Sequence, residues 1–252
     1  MRAPRRRSAA AALAAAAALT LTACSSVDGT AVPELSKVRT GTTGDTRTSS
    51  TSSTSGVPDS STPSGTAEVP REFPVSGNPS SPVTVTVVQD MACPACKQFH
   101  EVYEDTLDDL SDDPDVQLQY RVIAFLDRMS NDEYSSRAAN ALYCAWSIGA
   151  DSRDAEWIDD WTDYQEELFE KQPREGGDGL SDARLVSLAD GDFPGLDICV
   201  EQQRFGAAVT ANTDQQLDDS DFQGTPTVLV NGKRHELSSP QDLKQAVDAA
   251  KR

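Results

Sequence analysis

Histidine is nearly absent from this 252-residue chain: His100 and His235 are the only two, and they stand far apart. Cysteine is scarce as well, with five residues, of which only Cys93 and Cys96 are near neighbours. A structural zinc site needs about four ligands, commonly supplied by a second closely spaced Cys or His pair. No such pair exists here, so zinc is disfavoured, and a copper-carrying dithiol is a weaker reading than thiol redox chemistry. Basic residues are also few, 22 Lys and Arg against 41 Asp and Glu, for a formal charge of −19. That balance argues against nucleic-acid binding and against adhesion to anionic lipid. The acidic pairs Asp108-Asp109, Asp112-Asp113 and Asp218-Asp219 lack the spacing of a calcium loop and read as solvated surface. No internal repeat is visible.

Aromatic residues are missing altogether from Ser25 to Glu72, and between Thr40 and Thr66 Ser, Thr or Gly fills 21 of 27 positions. Such a segment cannot bury enough apolar surface to offset its chain entropy. Residues 24–73 are therefore expected to form a disordered tether with a reach on the order of 40 Å. Its Ser and Thr density would permit O-glycosylation.

Ahead of the tether, Arg2, Arg5, Arg6 and Arg7 precede an apolar segment, Ala9 to Leu21, too short and alanine-rich to span a bilayer well. Residues 1–23 read as an export signal. Leu21-Thr22-Ala23-Cys24 resembles the lipobox of bacterial lipoproteins, in which the cysteine is lipidated and becomes the mature N-terminus. Its removal takes away four arginines and no acid, which lowers the charge to −23. Setting Cys24 aside leaves an even number of cysteines, enough for a Cys93–Cys96 pair and a Cys144–Cys199 disulfide. Export would place both where disulfides persist.

Residues 74–252 are long enough for a core of their own. Val83 to Val88 and Val116 to Ile123 read as strands. A helical region follows from about 131 to 218, with periodic stretches at Ser135–Ile148, Asp154–Lys171, Ser181–Ala189 and Leu196–Gln216. Within it Trp157, Trp161, Tyr164 and Leu168 fall on one helix face, an apolar stripe that reads as core. Thr227 to Val230 and Lys233 to Leu237 flank Asn231-Gly232, a strong hairpin signal. A helix from Pro240 to Lys251 closes the chain.

The reactive centre is Cys93-Pro94-Ala95-Cys96, between the first strand and a helix-like stretch, Lys97 to Leu110. At a helix start the first thiol faces unpaired backbone N–H groups and the positive end of the macrodipole, which favour the thiolate. Nucleophilic cysteines so placed have pKa values of about 3.5–7.5. Cys93 is the expected nucleophile and Cys96 its shielded partner. Pro94 suits the first helical position, where its missing N–H costs nothing. Phe99, Val102, Tyr103, Thr106, Leu107 and Leu110 are expected to share one buried face, and His100 to lie on the helix surface.

Strand, C-P-x-C helix, helical insertion, and then Gly224-Thr225-Pro226-Thr227 before an Asn-Gly hairpin together resemble the DsbA-like thiol-disulfide oxidoreductases of the thioredoxin superfamily, over residues 80–251. Signal and tether look like those of actinobacterial envelope lipoproteins. The resemblance implies an α/β thioredoxin-like fold, with the helical insertion lying between the C-x-x-C half and the cis-proline half and bordering a substrate groove. It implies a cis Pro226 beside Cys93, with the Thr225 backbone free to pair with an extended substrate. It implies no metal and no organic cofactor, exported proteins with free thiols as substrates, and a quinone-coupled membrane partner as reoxidant. Two positions depart from the pattern. Val87 stands where relatives often carry a buried acid, which leaves the internal proton acceptor missing or replaced by water or Asp90. Met91 replaces a frequent aromatic residue, a change of packing. An envelope reductase or isomerase using the same pair, or a non-catalytic tethered module, are the rival readings.

Overall fold

A computed structural model describes residues 70–152 and 154–252. The signal, Cys24 and the tether as far as residue 69 lie outside the described residues.

Five strands form one sheet in the order β1-β3-β2-β4-β5. Its centre is β2, Val83–Gln89, whose valines at 83, 85, 87 and 88 are all fully buried. β-branched side chains suit a strand covered on both faces. On one side β2 pairs in parallel with β3, Val116–Val122, from Val83 opposite Val116 to Gln89 opposite Val122. On the other it pairs antiparallel with β4, Thr227–Val230, with Val88 opposite Thr227. The hairpin to β5, Lys233–His235, turns through Asn231 and Gly232 at φ 49° and 75°. Positive φ at both central residues is what this tight turn requires.

The outer edge of β3 carries β1, Phe73–Pro74. Phe73 is completely buried, with ring contacts to Tyr143, Trp146 and Trp161 at 4.8–5.3 Å. The expected boundary at residue 74 is therefore late. Glu72 already belongs to the domain, accepting from Arg121 Nε at 3.1 Å and Nη2 at 2.5 Å. An isolated Phe at the end of a polar tract gives no periodicity by which its burial could be read.

Between β2 and β3 runs α1, Pro94–Ser111, with Phe99, Tyr103, Thr106, Leu107 and Leu110 against the core. Val102, expected on that face, is 53% exposed. The closing helix α7, Pro240–Ala250, packs beside α1, with an ion pair from Lys244 to Asp109 at 2.6 Å and another from Lys251 to Asp113. At its start Asp242 accepts from the Ser238 and Ser239 N–H groups, a side-chain cap. Among the described residues five α-helices lie between these two.

Those five helices make the insertion: α2, Tyr134–Asp151; α3, Trp157–Glu170; α4, Asp182–Ser187; α5, Leu196–Glu201; and α6, Gly206–Leu217. α2 is buried along most of its circumference and touches all four others. Its small residues allow the close approach. A Cβ on Gly149 would sit 2.4 Å from the Trp157 ring. Trp161, Tyr164 and Leu168 of the expected stripe are core, with Trp157 packed against it. The stretch Leu196–Gln216, expected as one helical run, is broken. Gln203 adopts a left-handed φ of 47°, and Phe205 turns inward with its N–H on Asn140 Oδ1 at 2.9 Å. Cys144 of α2 and Cys199 of α5 are joined by a disulfide, with Cα atoms 5.9 Å apart.

Candidate active site

At the end of β2 the chain makes a tight turn, with the Cys93 N–H donating to Asp90 O at 3.0 Å, and then enters α1. Cys93 is the N-cap residue and Pro94 the first helical position. The Cys96 and Lys97 N–H groups close the first turn on Cys93 O at 3.1 and 3.2 Å. No acidic side chain lies in that first turn, so the positive end of the helix is not neutralised locally.

The second half of the site arrives from 132 residues downstream. The Thr225–Pro226 bond is cis, and the Cys93 thiol donates to Thr225 O at 3.3 Å. Pro94 and Ala95 are exposed, Cys93 is 5% exposed and Cys96 not at all. Phe125, just past β3, meets Phe222, in the segment leading to Thr225, edge to face at 5.6 Å.

The two thiols are electrostatically unlike. A hydrogen bond from the Cys96 thiol lowers Cys93 to about 6 against the opposing effect of burial, with further help from the Thr225 hydroxyl and the Cys96 and Ala95 N–H groups. That Thr225 hydroxyl is buried and has no hydrogen-bond partner while Cys93 is a thiol, so it is available to a thiolate. Burial pushes Cys96 well above the ordinary thiol value, and the neighbouring Cys93 pushes it further. One thiol ionises near neutrality and the other does not.

Beneath the pair lies Asp90, fully buried. Its Oδ1 accepts from the Ala92 N–H and the Ser135 hydroxyl, and its Oδ2 from the Leu126 N–H, each at 2.8 Å. Burial raises this carboxyl to about 6, the three hydrogen bonds hold it back, and the proximity of Cys93 raises it further. Of the alternatives left open by Val87, which is an apolar core residue, Asp90 supplies a buried acid with a proton exchangeable near neutral pH. Met91 is fully buried, and its carbonyl accepts from Gln172 Nε2 at 2.8 Å.

His100 is half-buried instead of lying free on the helix surface. α1 packs against both β3 and α3, and the face one turn past Cys96 meets the insertion. His100 Nε2 lies 2.7 Å from Gln89 Oε1, and Gln89 Nε2 donates to Gln165 Oε1 at 2.6 Å. The imidazole packs 4.6 Å from Phe169 and 5.6 Å from Tyr120, and burial lowers it to about 4, which keeps it neutral. Gln89 already shows a signal in sequence, an amide ending an apolar strand, which must find partners if buried. Gln172 and Ser135 give no such signal. Among the described residues no group of three or more His, Cys, Asp or Glu could hold a metal ion.

Comparison with known proteins agrees with this geometry. A family model described as Thioredoxin matches residues 71–249. Disulfide bond formation protein D of Bacillus subtilis is 29% identical over 167 residues, which cover 64% of this chain and 68% of that protein. Reduced DsbA from Mycobacterium tuberculosis aligns with a TM-score of 0.59 and 27% identity over 72% of this chain and 98% of its own. The reduced disulfide bond oxidoreductase DsbG of the same organism aligns with a TM-score of 0.57 and 31% identity, over 69% of this chain and 86% of its own. The chain belongs to the thioredoxin family, and it is a thiol-disulfide oxidoreductase of the DsbA-like kind.

Proposed function

We propose that this protein introduces disulfides into exported proteins from the outer face of the cell membrane, to which lipid on Cys24 anchors it. The observation that carries the reading is the placement of Cys93 at the start of α1, its thiol on Thr225 O at 3.3 Å beside the cis Pro226, with Cys96 fully buried one turn behind it.

In the oxidised enzyme Cys93 and Cys96 share a disulfide. A substrate thiolate attacks Cys93 Sγ, the Cys93–Cys96 bond breaks, and a mixed disulfide joins substrate to Cys93. Cys96 leaves as a thiolate and takes up a proton, because its buried sulfur does not remain ionised. Asp90 is the internal acid for that proton, its backbone N–H also reaching the Cys96 sulfur. The second substrate thiolate then attacks the substrate sulfur of the mixed disulfide. The substrate disulfide closes, and Cys93 departs as the stabilised thiolate. The substrate loses two electrons and the Cys93–Cys96 pair gains them. A quinone-coupled membrane partner removes them, and no metal or organic cofactor takes part.

Substrate recognition runs through Thr225 and Pro226. Pro226 has no N–H to offer, so an extended peptide is held through the Thr225 backbone, a strand addition tolerant of sequence. The lipobox-like Leu21-Thr22-Ala23-Cys24 supports anchorage, and the polar tether behind it supports a domain free to meet emerging chains. Ala95 brings no side-chain donor to the thiolate, so the reduced form rests on the helix start, the Cys96 thiol and Thr225. The expected reduction potential lies between those of DsbA, about −120 mV, and thioredoxin, about −270 mV. Equilibration of the Cys93–Cys96 pair with glutathione redox buffers measures it. A value at or below about −270 mV would make the protein a reductase and overturn the proposed direction.

A further inference from the structure

A polar side chain of the insertion reaches the backbone of the redox pair. Gln172 follows the last turn of α3, and its amide nitrogen donates to both Met91 O, at 2.8 Å, and Cys93 O, at 3.0 Å. Both partners are acceptors only, so the nitrogen must face them and the amide orientation is settled. In return Lys97, the residue after Cys96, donates from Nζ to Glu170 O at 3.0 Å, near the end of α3. The end of α3 and the start of α1 thus hold each other.

Cys93 O receives three donors: Gln172 Nε2 and the N–H groups of Cys96 and Lys97. A carbonyl oxygen has two lone pairs. The Cys96 N–H, which bonds this oxygen at 3.1 Å, also reaches the Cys93 sulfur, as does that of Ala95, so the Cys96 N–H is shared between two acceptors. If the amide were lost, the carbonyl would draw the shared Cys96 N–H more strongly, and the turn at residues 91–93 would lose its lateral tie.

We propose that Gln172 is a positioning residue of the redox pair: reaching from the helical insertion, it holds the turn at residues 91–93 and competes for the Cys93 carbonyl, so that the Cys96 N–H stays shared with the Cys93 sulfur. It touches neither substrate nor sulfur and acts through the Cys93 backbone. This inference rests on the reading of Cys93 as the nucleophile.

The test is the pH dependence of Cys93 alkylation in the reduced protein, which needs no substrate and is independent of the direction of catalysis. Gln172→Leu, which removes the donor at similar size, should raise the midpoint by about half a pH unit, so that alkylation below the midpoint slows about threefold. Gln172→Glu, which sets a carboxylate against two carbonyls, should raise it further. Gln165→Leu serves as the structural control, since it removes a buried amide of the same helix that bonds Gln89 and not the Cys93 loop. It should lower thermal stability and leave the midpoint in place. A folded Gln172→Leu protein with an unmoved midpoint would overturn the proposal, as would an equal shift in Gln165→Leu. Should the Gln172 variants not fold, the wild-type side-chain amide signals of Gln172 in NMR provide the second measurement. Two slowly exchanging protons that titrate with Cys93 are expected, and rapidly exchanging, pH-independent signals would refute the role.

Discussion

Cys93 and Cys96 stand three positions apart in sequence, the first thiol lowered to about 6 and the second pushed up by burial, and that asymmetry sets the order of events at the sulfur atoms. Replacing Cys96 with Ser should leave Cys93 bound to substrates as mixed disulfides, whereas replacing Cys93 should trap nothing. Non-reducing electrophoresis reads the outcome, and equal trapping by both would reverse the assignment. Asp90 and His100 carry a second prediction at this scale. Asp90 has its folded value raised to about 6 from 3.8, so its contribution to stability is complete below about 4 and is lost as pH rises through 6. His100 has its folded value lowered to about 4 from 6.5, so its contribution is complete above 6.5 and is lost as pH falls through 4. Between about pH 4 and 6 the two slopes oppose each other. Urea denaturation across that range should therefore show Asp90→Asn losing stability on acidification more steeply than wild type, and His100→Asn less steeply. Cys93, Cys96, Thr225 and Pro226 were legible in sequence because their chemistry is written in short motifs. Gln172 and Ser135 were not, because they act through contacts 79 and 45 residues away.

Among the elements, α2 and α5 are tied by the Cys144–Cys199 disulfide, which closes a separation of 55 residues. Such a crosslink restricts the unfolded chain by up to about 4 kcal/mol in the loop-entropy model. Cys144→Ala paired with Cys199→Ala should lower the denaturation midpoint correspondingly while the alkylation midpoint of Cys93 stays near its wild-type value. Strand positions and the Asn231-Gly232 hairpin could be placed from sequence, since alternation and turn chemistry are local. The break between α5 and α6 could not. Leu196 to Gln216 keeps helical composition apart from Gly206 at the break, and there Phe205 is buried and its N–H finds Asn140, both tertiary effects. Val102 likewise fits the apolar spacing of α1, but the neighbouring elements do not extend over it.

For the molecule as a whole, the short strand β1 makes residues 72–74 a part of the catalytic domain. Phe73 joins an aromatic cluster with Tyr143 and Trp146 from α2 and Trp161 from α3, so the start of the domain holds the edge of the sheet and the insertion together. Phe73→Ala should cost about 3–5 kcal/mol, measured by denaturant unfolding, and a loss below about 1 kcal/mol would show that the cluster closes without it.

The sheet order has a consequence in time. β4 lies against β2 at the centre of the sheet, and Thr225 follows Cys93 by 132 residues. A ribosome adding about 5–20 residues each second takes roughly 7 to 26 s to cover that distance. Through that interval a growing chain carries its dithiol with one flank of β2 unpaired and no proline loop beside the sulfur. Cys144 is made before the middle of the interval and Cys199 toward its end, so the four thiols become available one after another. The enzyme thus carries a structural disulfide of its own beside its redox pair, and its active site is complete only when the strand that arrives last at the centre of the sheet brings Thr225 and Pro226 to Cys93.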